Sequence, residues 1–164
     1  MKKIILGYFF VVCLFSSIGF SKSLSEAKIG FKGVYLEQDS NEACKIIKEK
    51  FSDEKYKFSK KDSPYGSDIC ETKSIMIFID DEKKVKSISY RHSAFGIEEM
   101  PLKEFSQLIL DNANWLPRLD YNDVNYQKYY YIDNTKLGFS IEISDFLGVR
   151  LYKEKIIVNK PNFN

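Results

Sequence analysis

The sequence predicts an α+β domain: an antiparallel sheet of about five to six strands with two helices packed on one face. Three observations predict it. Apolar residues recur at helical spacing after Ser40 and again after Pro101. Short runs of β-branched and aromatic residues lie between tight polar turns. From Leu137 to Ser144 apolar and polar residues alternate strictly, which gives a strand one face in the core and one in water. A chain of 164 residues, 44% hydrophobic and 29% charged, is sized for one domain and excludes disorder and a multi-span membrane protein.

The chain opens with the layout of a secretory signal. Met1-Lys2-Lys3 is basic, Ile4 to Phe15 is uncharged and apolar, and Gly19 and Ser21 put small residues at −3 and −1 for a cut before Lys22. Residues 1–21 are therefore read as a signal peptide and 22–164 as a single α+β domain, periplasmic or secreted in a bacterium. The competing reading is an uncleaved anchor, since the stretch from Ile4 to Ser21 is at the short end for a bilayer span. Cys13 follows Val11-Val12 inside the apolar run, so it is not read as a lipid-attachment site. Loss of residues 1–21 removes Lys2 and Lys3 and no acid, leaving 23 bases against 23 acids. A neutral chain has no global field to attract nucleic acid. The seven lysines and three acids between Lys45 and Lys61 are read as a solvated face.

Lys28 to Leu36 reads as a strand, with Gly30 and Gly33 hinting at a bulge or close approach. Asp39, followed three residues on by Glu42, resembles a capping box for a helix to about Phe51, whose stripe is Cys44, Ile47 and Phe51. Ser52 to Lys73 is polar and reads as a long irregular loop with a turn at Ser63 to Ser67. Ser74 to Ile79 and Val85 to Arg91 read as a hairpin about Asp80 to Lys84. Pro101 suits a helix start, and Leu102, Phe105, Leu108 and Ile109 form its stripe. Tyr126 to Asp133, Leu137 to Ser144 and Val149 to Lys153 read as three further strands. Each half thus carries a helix followed by a hairpin, the outline of a duplicated unit with no repeated motif.

After export, Cys44 and Cys70 meet an oxidising compartment, where a pair of thiols closes; a disulfide is expected, with two buried thiols as the alternative. There is no C-x-x-C pair to make a redox site.

Gly33-Val34-Tyr35-Leu36 followed by Asp39-Ser40-Asn41-Glu42-Ala43 is similar to the strand-to-helix opening of small exported bacterial domains. Ile75 to Asp80 and Lys84 to Ile88 match the hairpin that follows in them. The pattern resembles the outer-membrane assembly lipoprotein and β-lactamase-inhibitor-like folds over about a third of the chain. That resemblance implies helices on an antiparallel sheet and a role in binding other proteins. Glu37 stands where those domains carry a second glycine, and the lipid-attachment box is missing.

The residues for common chemistries are few. His92 is the lone histidine; beside Ser93 it makes no dyad, and it is read as an exposed loop residue. Asp120, Asn122 and Asp123 fail the calcium-loop pattern at Val124 and Asn125. Asp80-Asp81-Glu82 reads as a solvated turn. No catalytic residue, metal site or cofactor is assigned. What remains is an aromatic excess: ten tyrosines, nine phenylalanines and one tryptophan after residue 21. Tyr65, Trp115, Tyr121, Tyr129, Tyr130 and Tyr131 are the candidate partner-binding residues, because amphipathic, stiff tyrosine is enriched at recognition surfaces. The expected function is non-enzymatic binding of a protein in the cell envelope, of inhibitor, immunity or assembly type. The membrane is a partner only if the signal is kept, and nucleic acid is not one. The alternative is an envelope hydrolase or saccharide-binding domain built on scattered carboxylates and aromatics.

Overall fold

The computed structural model describes residues 24–60, 66–113, 115, 122–126, 129–134, 137–144 and 147–153. After a single helical turn, α1 (Leu24–Ala27), the chain folds into a hairpin of β1 (Gly30–Phe31) and β2 (Val34–Tyr35), a sheet of its own. The sequence reads this stretch as one strand. It doubles back because Lys32 (φ 56°) and Gly33 (φ 83°) are both left-handed, the signature of a tight hairpin turn. Helix α2 (Ser40–Lys50) follows, and Asp39 Oδ1 accepts the N–H groups of Asn41 at 3.0 Å and Glu42 at 3.2 Å. Its buried stripe is Ala43, Cys44 and Ile47.

Among the described residues eight antiparallel strands form the main sheet: β3 (Lys57–Ser59), β4 (Asp68–Glu71), β5 (Ile75–Ile79), β6 (Val85–Tyr90), β7 (Asn122–Tyr126), β8 (Tyr129–Asn134), β9 (Phe139–Ser144) and β10 (Gly148–Tyr152). Their order is β3-β4-β5-β6-β10-β9-β8-β7. Each half is a helix followed by a four-strand meander, α2 with β3–β6 and α3 (Leu102–Asn112) with β7–β10. The last strands of the two meanders pair at the centre, Val149 opposite Tyr90 and Leu151 opposite Ile88. The duplicated outline is thus present as architecture.

The α+β class and the two helices on one face agree with the sequence. The strand count is corrected upward. Strands β3 and β4 lie inside the stretch read as irregular. In β3 no residue is buried, and in β4 the buried pair Ile69 and Cys70 is adjacent, so neither shows a period of two. The run from Tyr126 proves to be two strands, with Tyr126 closing β7 opposite Tyr129, which opens β8. Strand β7 carries Asn and Asp, residues depleted in strands.

One register row marks the helix-bearing face of the sheet: Phe58, Cys70, Ile77, Ile88, Leu151, Ile141 and Ile132, from β3 to β8. All but Phe58, at the edge, are buried. Helix α2 covers β4 and β5, and α3 covers β8 and β9. Cys44 and Cys70 are bonded, with Cα atoms 5.9 Å apart, joining α2 to β4. The loop it closes spans 26 residues, for which chain entropy alone gives roughly 3 kcal/mol of stabilisation.

The small hairpin is held against both halves. The Tyr90 phenol accepts the Phe31 N–H at 3.0 Å and faces the carbonyls of Phe31 (3.1 Å) and Val34 (3.0 Å) as its acceptors. Phe31 packs edge-on against Tyr90 and lies 5.8 Å from the Trp115 ring, which meets Phe139 of β9. Trp115 Nε1 donates to the Gly30 carbonyl at 3.0 Å. His92, read as an exposed loop residue, is half-buried in a short 3₁₀ turn (His92–Phe95), its ring 4.2 Å from that of Phe105; the loop coils back onto α3.

Tyr90→Phe keeps the ring and removes the hydroxyl, leaving the buried Phe31 amide and two carbonyls to share fewer partners. The expected loss is about 2–3 kcal/mol, from unsatisfied buried groups and not from a cavity. Urea denaturation of both proteins measures it; a change within 0.5 kcal/mol would show the hairpin to be held by ring packing alone.

Candidate functional site

The residues between the core positions define the opposite, helix-free face. One register row reads Lys57, Glu71, Met76, Ser89, Arg150, Glu142 and Tyr131 from β3 to β8. The next reads Ser59, Ile69, Phe78, Ser87, Tyr152, Ser140 and Asp133. No helix covers this face among the described residues.

The two ends of the face differ. Toward β8 it is closed by a polar network: Tyr131 Oη donates to Ser140 Oγ at 3.0 Å, and Ser140 Oγ donates to Asp133 Oδ1 at 3.2 Å. All three residues are buried. Over β5, β6 and β10 it opens into a depression of about 660 Å³. Met76, Phe78, Ser87, Ser89, Arg150 and Tyr152 form its floor half-exposed, and exposed Arg91 stands at its end.

The depression exists because the meanders meet there. Gly148, at the start of β10, has φ +81°, and a Cβ on it would lie 2.1 Å from the Tyr90 carbonyl oxygen. Only glycine lets β10 pass β6 that closely. The pairing then brings Arg150 beside Ser89 and Tyr152 beside Ser87. Burial pushes the Tyr152 phenol above its ordinary pKa, and the Glu142 carboxylate adds to that; the positive charge of neighbouring Arg150 opposes it. Tyr152 is therefore a neutral hydroxyl on the floor at physiological pH. Neither Arg91 nor Arg150 has an ion pair among the described residues.

Arg91 is set in place from below. Its backbone N–H donates to the Ser74 carbonyl at 2.9 Å. Ser74 is held by Glu54, whose carboxylate accepts the Ser74 N–H at 2.8 Å and the Ser74 hydroxyl. Ser74 Oγ also meets Ser93 Oγ at 2.7 Å.

The residues singled out from sequence fall in several places. Cys44 and Cys70 come together as a disulfide. Trp115 lies in the core, 7% exposed, with its indole N–H bound to Gly30. Tyr131 is on the helix-free face, folded onto Ser140. Tyr129 and Tyr130 have their backbone in β8, whereas Tyr65, Tyr121 and segment 1–21 lie outside the described residues. The sequence reading missed Met76, Phe78, Arg91, Arg150 and Tyr152. One signal was available: the chain has three arginines against 22 lysines, and two of the three line this depression.

Among the described residues no group of three or more His, Cys, Asp or Glu side chains is placed to hold a metal ion. No helix among them is long and apolar enough to cross a membrane. Comparison with protein-family models, with curated proteins and with solved structures gives no match.

The Glu54 link has a pH signature. Burial favours the protonated acid, but the hydrogen bonds from Ser74 and Thr72 outweigh it and lower the pKa below the ordinary 4.5. A carboxylate whose folded pKa is depressed stabilises the fold above its unfolded value, and that contribution is lost as pH falls through the folded one. Glu54→Gln is therefore expected to be less stable than the parent at neutral pH, with the gap narrowing as pH drops below 4.5. Denaturation midpoints across pH 2–7 test this, and a gap independent of pH would contradict it.

Proposed function

We propose that the chain is an exported, non-enzymatic binding module of the bacterial cell envelope that holds a protein partner, of inhibitor, immunity or assembly type, on its helix-free sheet face. The observation that carries this reading is the composition of that face. Half-exposed Met76, Phe78 and Tyr152 lie among serines and two arginines without ion pairs, over the centre of a rigid eight-stranded sheet. Aromatic residues, Met and Arg are the types enriched where proteins recognise one another. The signal-like layout of residues 1–21 and the Cys44–Cys70 bond support export to an oxidising compartment. The resemblance of the Gly33 to Ala43 opening and the Ile75 to Ile88 hairpin to exported partner-binding folds points the same way. In this reading the face supplies the contact area. The disulfide, which joins α2 to β4, keeps the sheet from opening on the β3 side.

The test uses the oxidised chain from Lys22 onward, tagged and incubated with envelope extract. The expected result is retention of one stoichiometric protein by the parent and its loss from Met76→Glu and Ser89→Glu, two half-exposed positions on the face. Unchanged melting temperatures of the two variants establish that the fold survives. Retention of glycan fragments in place of a protein, no retention, or retention that both variants leave untouched would refute the reading.

A further inference from the structure

We propose that the depression at the β6–β10 junction is a carboxylate-reading site, in which Arg91 and Arg150 take Asp or Glu side chains of an acidic, partly apolar peptide segment of the partner. The inference rests on the reading above and narrows it to a partner chemistry.

Four observations carry it. The chain uses lysine for nearly all its positive charge, 22 against three arginines, yet both cations lining the depression are arginines. A lysine serves wherever solvation and net charge are wanted; the planar guanidinium differs in presenting paired N–H donors that match a carboxylate. Neither arginine is neutralised by an ion pair among the described residues. Glu142 stands opposite Arg150 in the register, so the depression, with Arg91, keeps an excess of one positive charge. Arg150 is also half-exposed on the sheet beside Tyr152, so its guanidinium is within reach of a ligand in the depression.

The apolar part of the floor selects among anions. Met76, Phe78 and Leu147 lie beside the arginines, and they offer nothing to a phosphate or sulfate but pack against the apolar side chains of a peptide. Two arginines beside an acid also make a poor track for a polyanion, and the chain after residue 21 has no net charge to draw one in. A short segment alternating acidic and apolar side chains meets both requirements.

The probe is a displayed random peptide library selected on the full oxidised chain, in parallel with the Arg91→Gln/Arg150→Gln double variant. Selection on the parent is expected to enrich Asp or Glu next to apolar residues, and the double variant is expected to lose that enrichment. The best selected peptide, made synthetically, should bind about tenfold more weakly when either arginine becomes Gln. It should not be rescued by Arg150→Lys, which keeps charge but not the planar donor pair. Inorganic phosphate at millimolar concentration should compete poorly. Neutral or basic selected sequences, enrichment that the double variant retains, or displacement by phosphate would overturn the inference. If envelope capture depends on Met76 and Ser89 while peptide selection is blind to charge, the carboxylate assignment fails and the binding-face reading stands. If neither a peptide nor a partner is retained, both fail.

Discussion

The structure depends on the pairing of β10 with β6. Each half of the chain is a helix and a four-strand meander, and a meander alone leaves two sheet edges with unpaired backbone groups. Joining the final strands through Val149–Tyr90 and Leu151–Ile88 removes one edge from each half and makes a continuous core. That junction requires Gly148, because the Tyr90 carbonyl occupies the space of any Cβ there. It also fixes Tyr90, whose phenol anchors the small hairpin, and so links the sheet to the chain that leads into α2.

The same junction sets the chemistry of both faces. On one side it aligns Ile88 with Leu151 under the helices. On the other, one residue along, it aligns Ser89 with Arg150 and Ser87 with Tyr152 in the open depression. A strand's two faces are locked together by its alternation, so core packing that holds the register also holds the positions of the arginines. The disulfide stabilises one edge through α2 and β4, and Glu54 stabilises the turn into β5. Neither touches the floor of the depression, which leaves that floor free of structural duties beyond its backbone.

Much of the fold was legible because its signals are local. The Asp39 cap, the Cys44–Ile47 stripe, the Ile75 and Val85 hairpin and the alternation from Leu137 to Ser144 each lie within a few residues, although Ser140 and Ser144, on the side of β9 expected to face water, are buried. What was hidden was non-local. Strand β4 is buried at the adjacent residues Ile69 and Cys70 because neighbouring strands and α2 surround it, and no local period records that. The hairpin at Lys32-Gly33 was obscured because lysine rarely adopts a positive φ. The candidate site was the least legible part. Arg91 and Arg150 are far apart in sequence and meet only through the strand pairing, whereas the conspicuous aromatic Trp115 is taken up by the core. The scarcity of arginine was the one local hint, and it gains meaning only once two of the three are seen together.

The central claim is that recognition occurs on the helix-free face at the junction of the two meanders. The most direct test is a backbone NMR shift map of the oxidised chain as its captured envelope protein is added. The account predicts perturbations concentrated at Met76, Phe78, Ser87, Ser89, Arg91, Arg150 and Tyr152. Perturbations confined to the exposed sides of α2 and α3, with those residues unmoved, would contradict it.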